Sequence, residues 1–232
     1  MNPILRPGTS DHAIWLNINE NNEYRLPDTM NDWVVMDIGA HTGAFTYACL
    51  QRGVKMVYAY EPHPENFNLL QQNASSYFSS LYEKAVVGKR PHFADNKVTL
   101  YGFTRMSEAE INTGAASLSG IPTVDEFSSG ITHDVEFIQF DRAIGKLSIF
   151  CGRRVDLVKL DCEGQEFDIL LYSGLVDQAR RYCGEFHEFP QRDYKIEHLE
   201  RMFHDLRYRF EYFRHPNSHL GMFFATSELI KD

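Results

Sequence analysis

The sequence predicts an α/β fold built on a mostly parallel seven-stranded sheet with helices on both faces and a C-terminal antiparallel hairpin. Three observations carry this. Short apolar runs alternate with amphipathic stretches from Trp33 to the C-terminus, the pattern of strands separated by helices. The first two runs, Trp33 to Met36 and Met56 to Tyr60, are near-continuous in apolar residues, as parallel strands buried on both faces are. The last two, Phe210 to Arg214 and Leu220 to Thr226, flank a Pro-Asn-Ser turn and read as a hairpin with a reversed edge strand.

Residues 1–31 are polar, with prolines at 3 and 7 and a short strand-like patch from Ile14 to Ile18, and read as an N-terminal segment laid on the surface. The remainder, 32–232, reads as a single domain. After strand one comes Asp37-Ile-Gly39, then a helix from Thr42 to Arg52 ended by Gly53. Strand two precedes a helix from Pro64 to Tyr77, and strand three runs from Leu81 to Val87. Further strands are expected at Val98 to Phe103 and Val135 to Phe140, with a polar loop of small residues, 104–133, between them that is expected to cover a pocket. Arg154 to Asp161 is the fourth core strand, and Gly164 to Tyr172 a helix. Strand five is Tyr182 to Glu188, followed by a helix from Ile196 to Leu206.

The chain has 232 residues, with 23 Lys+Arg against 32 Asp+Glu and a formal net charge of −9. This balance argues against a nucleic acid partner, which needs clustered basic residues to displace counterions. The cysteines, Cys49, Cys151, Cys162 and Cys183, have neither disulfide-scaffold density nor zinc spacing, so they read as reduced packing residues. No run approaches a membrane span and no basic-then-apolar leader opens the chain, so a soluble, cytoplasmic protein is expected.

The loop Asp37-Ile-Gly-Ala-His-Thr-Gly43 stands where a core strand turns into a helix. Its glycines allow a tight turn and close approach of a ligand, and the helix start favours an anionic or strongly polar group. The spacing is not the three-glycine dinucleotide fingerprint, which excludes a nicotinamide-dependent dehydrogenase. Glu61 ends strand two, where an acid can accept both ribose hydroxyls of an adenosine ligand, and Pro62 and Pro64 stiffen the exit.

Period-2 alternation puts Lys159, Asp161 and Glu163 on one side of strand four, and Glu185 and His187 on one side of strand five. Charged residues at the carboxyl ends of central strands are costly unless paired or functional, so these five are the catalytic candidates. Asp161 is the first choice for a base or hydroxyl anchor, and His187 the competing base because neutral imidazole is available near pH 7. Lys159 either lowers an acceptor's pKa or neutralises Asp161, and Glu163 either orients Lys159 or contacts substrate. Glu166 reads as a first-turn acid favoured by the helix dipole. The five candidate groups could also hold a divalent metal that binds the acceptor oxygen and lowers its pKa, but no tight metal-ligand spacing is present, so no metal is assigned.

Asp37-Ile-Gly-Ala-His-Thr-Gly-Ala-Phe45, Tyr60-Glu-Pro-His-Pro-Glu-Asn-Phe67 with Asn73, Lys84-Ala-Val-Val-Gly88, Gly114-Ala-Ala-Ser-Leu118 and Val158-Lys-Leu-Asp-Cys-Glu-Gly-Gln-Glu166 together resemble the FkbM family. The resemblance runs from about Trp33 to His187 and departs at His41, where Asn is commonest, and at Cys162, where Val is usual. It implies the Rossmann-like class I methyltransferase fold and S-adenosylmethionine-dependent O-methylation of a small molecule, a sugar of a glycan or glycolipid, or a natural product. It also implies that Asp37, Gly39, Ala40, His41 and Gly43 line the methionine side of the cofactor, that Glu61, with Pro62 beside it, holds the ribose, and that Lys84 and Ala85 border the adenine. A nucleic-acid N-methyltransferase would need an Asn- or Asp-Pro-Pro-aromatic element where this chain has Asp161-Cys-Glu-Gly. The non-catalytic alternative is a protein that keeps the cofactor pocket for binding alone.

Overall fold

The computed structural model describes residues 3–75, 80–83, 85–88, 97–102, 104–105, 111–114, 116, 132–189, 192–216 and 218–229. Seven strands form the main sheet: β1 (Val34–Ile38), β2 (Met56–Tyr60), β3 (Ser80–Glu83), β9 (Leu157–Leu160), β10 (Arg181–His187), β11 (Tyr208–Arg214) and β12 (Leu220–Ser227). Their spatial order is β11-β12-β10-β9-β1-β2-β3. All neighbours pair in parallel except β12, which runs antiparallel to both β10 and β11. The central strand β1 is buried at all five positions, which is why its sequence reads Val-Val-Met-Asp-Ile without alternation.

Helices cover both faces. On one side lie α1 (Asp11–Asn19), α2 (Ala44–Gln51) and α3 (Pro64–Asn73), burying Trp15, Ile18, Phe45, Ala48 and Leu70 against Val35, Val57 and Leu157. The other side carries α4 (Phe140–Cys151), α5 (Glu166–Tyr172) and α6 (Ile196–Asp205), whose Ile144, Phe167 and Phe203 pack on Val34, Met36, Val158 and Phe186. A smaller mixed sheet is formed by β4 (Ala85–Gly88), β5 (Lys97–Tyr101) and β8 (Thr132–Gln139), in the order β4-β8-β5, around Leu100, Val135 and Phe137. The short strands β6 (Thr104–Arg105) and β7 (Ile111–Asn112) pair with each other.

Three local expectations are corrected. The patch from Ile14 to Ile18 is the helix α1, because Trp15 and Ile18 fall on one helical face and Trp15 packs on Tyr47 with ring centroids 5.1 Å apart. The third strand is two strands in two sheets. Register pairs Tyr60 with Glu83, the last residues of β2 and β3, and with β2 turning away at Glu61 the chain finds its next partner in β8, Ala85 opposite Glu136. Phe140 opens the helix α4 rather than ending a strand, and the strand expectations at 98–103 and 135–140 fall in the smaller sheet, outside the main seven. Most of the 104–133 segment lies outside the described residues.

Candidate active site

The turn leaving β1 is held by backbone geometry. Gly39 has φ +77°, and a Cβ there would fall onto the carbonyl oxygen of Asp161, so only glycine fits. The N–H groups of Gly39 and Ala40 both donate to Tyr60 O at 3.0 Å, which ties the turn to the end of β2. His41 follows at φ +53°, a left-handed conformation in which Asn and His are enriched. Gly43, at φ +92°, opens α2 against Leu70. Glu61 sits under this turn, accepting from His41 N–H at Oε2 and from His63 N–H at Oε1, each at 2.8 Å. Burial raises its pKa to about 7.

Lys159 is the buried cation of the site. Its Nζ lies 3.4 Å from Asp37 Oδ1 and 3.6 Å from Asp161 Oδ2, and donates to Gly39 O at 2.5 Å. Burial alone would lower its pKa, but the carboxylates of Asp37 and Asp161 outweigh burial and hold it well up. Asp161 Oδ2 also accepts from Tyr24 OH at 3.1 Å.

His187 lies in a ring of carboxylates. Nε2 is 3.3 Å from Glu163 Oε2 and 3.8 Å from Glu185 Oε2, and Nδ1 is 3.3 Å from Glu166 Oε1. Burial opposes its charge, yet Glu166 and Glu163 raise its pKa well above the ordinary imidazole value. Those carboxylates favour the protonated ring over the neutral imidazole expected near pH 7. Glu166 is the first-turn acid of α5, as expected, with a further role. It is fully buried and accepts from Cys162 N–H at 2.8 Å and Gly164 N–H at 3.0 Å, folding the loop after β9 over itself. Glu163 faces His187 and does not orient Lys159. Burial and the nearby Asp161 push Glu185 up to about 8.

The N-terminal segment closes the site from above. Thr113 Oγ1 donates to Asp11 Oδ1 at 2.6 Å and so accepts from His41 Nε2, at 2.9 Å. Arg6 binds Asp11 through Nε and Nη2, both at 2.9 Å, and reaches Asn66 Oδ1 at 2.6 Å. Asn66 in turn donates to Thr113 O at 3.0 Å. Burial would raise the Asp11 acid, but the bonds from Arg6 and Thr113 prevail and hold it at about 2. Burial lowers the pKa of His41 to about 4, so its ring is neutral.

These elements enclose a cavity of about 510 Å³ at the carboxyl ends of β1, β2, β9 and β10. Of the candidates from sequence, Gly39, Ala40, His41, Glu61, Pro62, Lys159, Asp161, Glu163, Glu185 and His187 line it. Asp37 does not. Its side chain is turned into the core beneath the turn, where Oδ2 accepts from Thr46 at 2.7 Å and Oδ1 faces Lys159. Gly43 shapes the helix start without reaching the cavity, Ala85 belongs to β4 in the smaller sheet, and Lys84 lies outside the described residues. Reading the sequence missed Ser10, Glu23, Tyr24 and Gln165, which also line the cavity. Ser10-Asp11 ahead of Ile14, Trp15 and Ile18 is a helix-start signal that could have drawn attention to Ser10. Nothing local marks Tyr24.

A parallel sheet whose strands run 3-2-1-4-5-7-6 with the seventh reversed, a glycine turn after the first and an acid ending the second define a class I S-adenosylmethionine-dependent methyltransferase. The chain belongs to the FkbM methyltransferase family, whose model, described as methyltransferase FkbM domain, matches residues 37–210. Comparison with curated proteins gives no significant match. Among solved structures it is similar to a precorrin 8W decarboxylase of Methanobacterium thermoautotrophicum, with 14% identity, 98% of this chain and 92% of that one covered, and TM-score 0.45. It is also similar to TrmK of M. capricolum in complex with S-adenosyl-homocysteine, with 11% identity, 91% and 70% covered, and TM-score 0.45.

The cavity fits such a cofactor on its own geometry. The Gly39–His41 turn lines the cavity, and the buried carboxylate of Glu61 keeps a second lone pair on each oxygen for hydroxyl donors. The volume is within the usual range for small-molecule sites. Among the described residues, no helix is long and apolar enough to cross a membrane.

Proposed function

We propose that the protein moves a methyl group from S-adenosylmethionine to a hydroxyl of a small molecule, a sugar of a glycan or glycolipid or a natural product. The observation that carries this reading is that one cavity joins the Gly39–His41 turn and Glu61 to the polar ends of β9 and β10, so a cofactor and an acceptor can meet beside Asp161.

Gly39, Ala40 and His41 would hold the methionine end of the cofactor, and Glu61 its ribose, with Pro62 beside it. When bound, S-adenosylmethionine supplies the methyl group and takes back the electron pair of the broken sulfur–carbon bond. The acceptor hydroxyl must then give up its proton as the new carbon–oxygen bond forms. Asp161 is the base we assign, because Tyr24 and Lys159 both act on Oδ2 and leave Oδ1 without a partner among the described residues. Lys159 is a positioning residue, since its charge is spent on Asp37, Asp161 and the Gly39 carbonyl. His187, with Nε2 3.3 Å from Glu163 Oε2, orients Glu163 and is not assigned the proton. The segment 1–31 supplies one wall of the pocket through Ser10, Ile14, Asn17, Ile18, Glu23 and Tyr24 and excludes water from that side.

Calorimetry with S-adenosylmethionine and S-adenosylhomocysteine, followed by a screen of hydroxylated glycans with labelled methyl donor, tests this. Binding of both ligands and transfer to oxygen are expected. Failure to bind either ligand, or methylation at nitrogen or carbon alone, overturns it.

A further inference from the structure

Sequence spacing gives no metal-ligand pattern, yet the fold assembles one. Asp161 and Glu163 leave the end of β9 two residues apart, and His187 ends the neighbouring β10. One ligand atom from each lies within 4.8 Å of the other two. Around an ion about 2.1 Å from its ligands, neighbouring donors sit ~3 Å apart and opposite ones ~4 Å, so only a small closing movement is needed. A fourth donor is at hand, because Glu185 Oε2 lies 3.8 Å from His187 Nε2.

Two further features point to a cation. The first is the His187 ring, which lines the cavity although its side chain is only 2% exposed. Its buried Nδ1 makes no hydrogen bond, although Glu166 Oε1 lies 3.3 Å away. Glu166 is itself pinned by the Cys162 and Gly164 N–H groups. Glu166 thus stands, 3.3 Å from Nδ1, on the side where a carboxylate backs a metal-binding imidazole, while Nε2 faces Glu163 and Glu185. The second is charge. Asp37, Asp161, Glu163, Glu166 and Glu185, five acids, surround Lys159, His187 and His215, the basic side chains paired with them.

We propose that Asp161, Glu163 and His187, with Glu185 beside them, form a divalent-cation site in the acceptor half of the cavity. Carboxylate oxygens with one imidazole suit a hard or borderline ion such as Mn²⁺. On the proposed reaction, on which this role rests, Asp161 would hold the ion through one oxygen and take the acceptor proton on the other, and the ion would fix the acceptor hydroxyl beside the transferring methyl group. The site itself is tested without that reaction.

Mn²⁺ is titrated into the full chain, with free ion read by electron paramagnetic resonance, with and without S-adenosylhomocysteine. One bound ion per chain is expected. Asp161→Asn and Glu163→Gln should each weaken binding at least tenfold, Glu166→Gln roughly 10–100-fold, and Glu211→Gln on the exposed face of β11 not at all. No uptake by the folded wild type, or equal uptake by the Asp161 and Glu163 variants, overturns the site. If both carboxamide variants fail to fold, paramagnetic broadening of the His187 ring signals in the wild type decides: broadening supports the site and its absence overturns it. S-adenosylhomocysteine binding without Mn²⁺ binding removes the metal site and leaves the methyltransferase reading intact. Mn²⁺ binding without S-adenosylhomocysteine binding does the reverse.

Discussion

Lys159 Nζ stands 3.4 Å from Asp37 Oδ1 inside the sheet, a buried ion pair that joins β9 to β1 directly beneath the cavity. Both side chains are almost fully shielded from solvent, at 3% and 0% exposed, and the same ammonium reaches Asp161 on the cavity side. One cation therefore fixes the floor of the site and the orientation of its central acid.

Removing that cation leaves buried negative charge without compensation, which costs about 3–5 kcal/mol. Lys159→Met should lower the urea unfolding midpoint accordingly. An unchanged midpoint would show that the pair does not support the fold.

Gly39→Ala places a methyl group on the Asp161 carbonyl oxygen and forces a side chain into a left-handed backbone. The expected loss is about 3 kcal/mol or more, together with cofactor binding. Position 41 is a different case: His41→Asn suits φ +53° and should leave the melting temperature within about 2 °C. Thermal unfolding of the two variants side by side separates these effects.

Cofactor affinity should rise with pH. Burial raises Glu61 to about 7, and burial with the neighbouring Asp161 raises Glu23 to about 7. A carboxyl whose folded pKa is raised binds its proton more tightly in the fold, so the stability it lends the free protein is present below about 4.5 and lost as pH climbs through 7. A cationic ligand favours the ionised form, so binding tightens over the same interval. Calorimetry between pH 6 and 8 in buffers of different ionisation enthalpy should show tighter binding at high pH and proton release near pH 7. Proton uptake would contradict the assignment.

Asp11 behaves in the opposite sense. Its folded pKa of about 2 lies below the ordinary 3.8, so its stabilisation is present above 3.8 and lost as pH falls through 2. Asp11→Asn should flatten the acid limb of the stability profile, and it should weaken cofactor binding by loosening Thr113 from His41. Melting curves from pH 4 to 2 check the first effect and calorimetry the second.

Much of the main sheet was legible because its strands are buried on both faces and so carry near-continuous apolar runs, as β1 and β2 do. The misread segments lacked a unique period. Ile14 to Ile18 is too short for periodicity to separate strand from helix, and Leu81 to Val87 contains no break to signal that its two halves belong to different sheets. The helix at Phe140, Ala143, Ile144 and Leu147 does have helical spacing, but Phe140 directly continues the apolar run of β8. At the candidate site, chain position put Gly39, Glu61 and Asp161 at the strand ends, where they line the cavity. What position could not reveal was partnership, such as His187 held between Glu163 and Glu166, or Tyr24 reaching Asp161 from 137 residues away.

The assignment of Asp161 as the base that receives the acceptor proton is tested most directly by single-turnover transfer of labelled methyl to an identified hydroxyl acceptor, comparing wild type with Asp161→Asn at saturating cofactor. A fall of about 10²–10⁴-fold in rate, with cofactor affinity kept within a few-fold, is the predicted result. A variant that binds cofactor normally and transfers methyl as fast as wild type would contradict it.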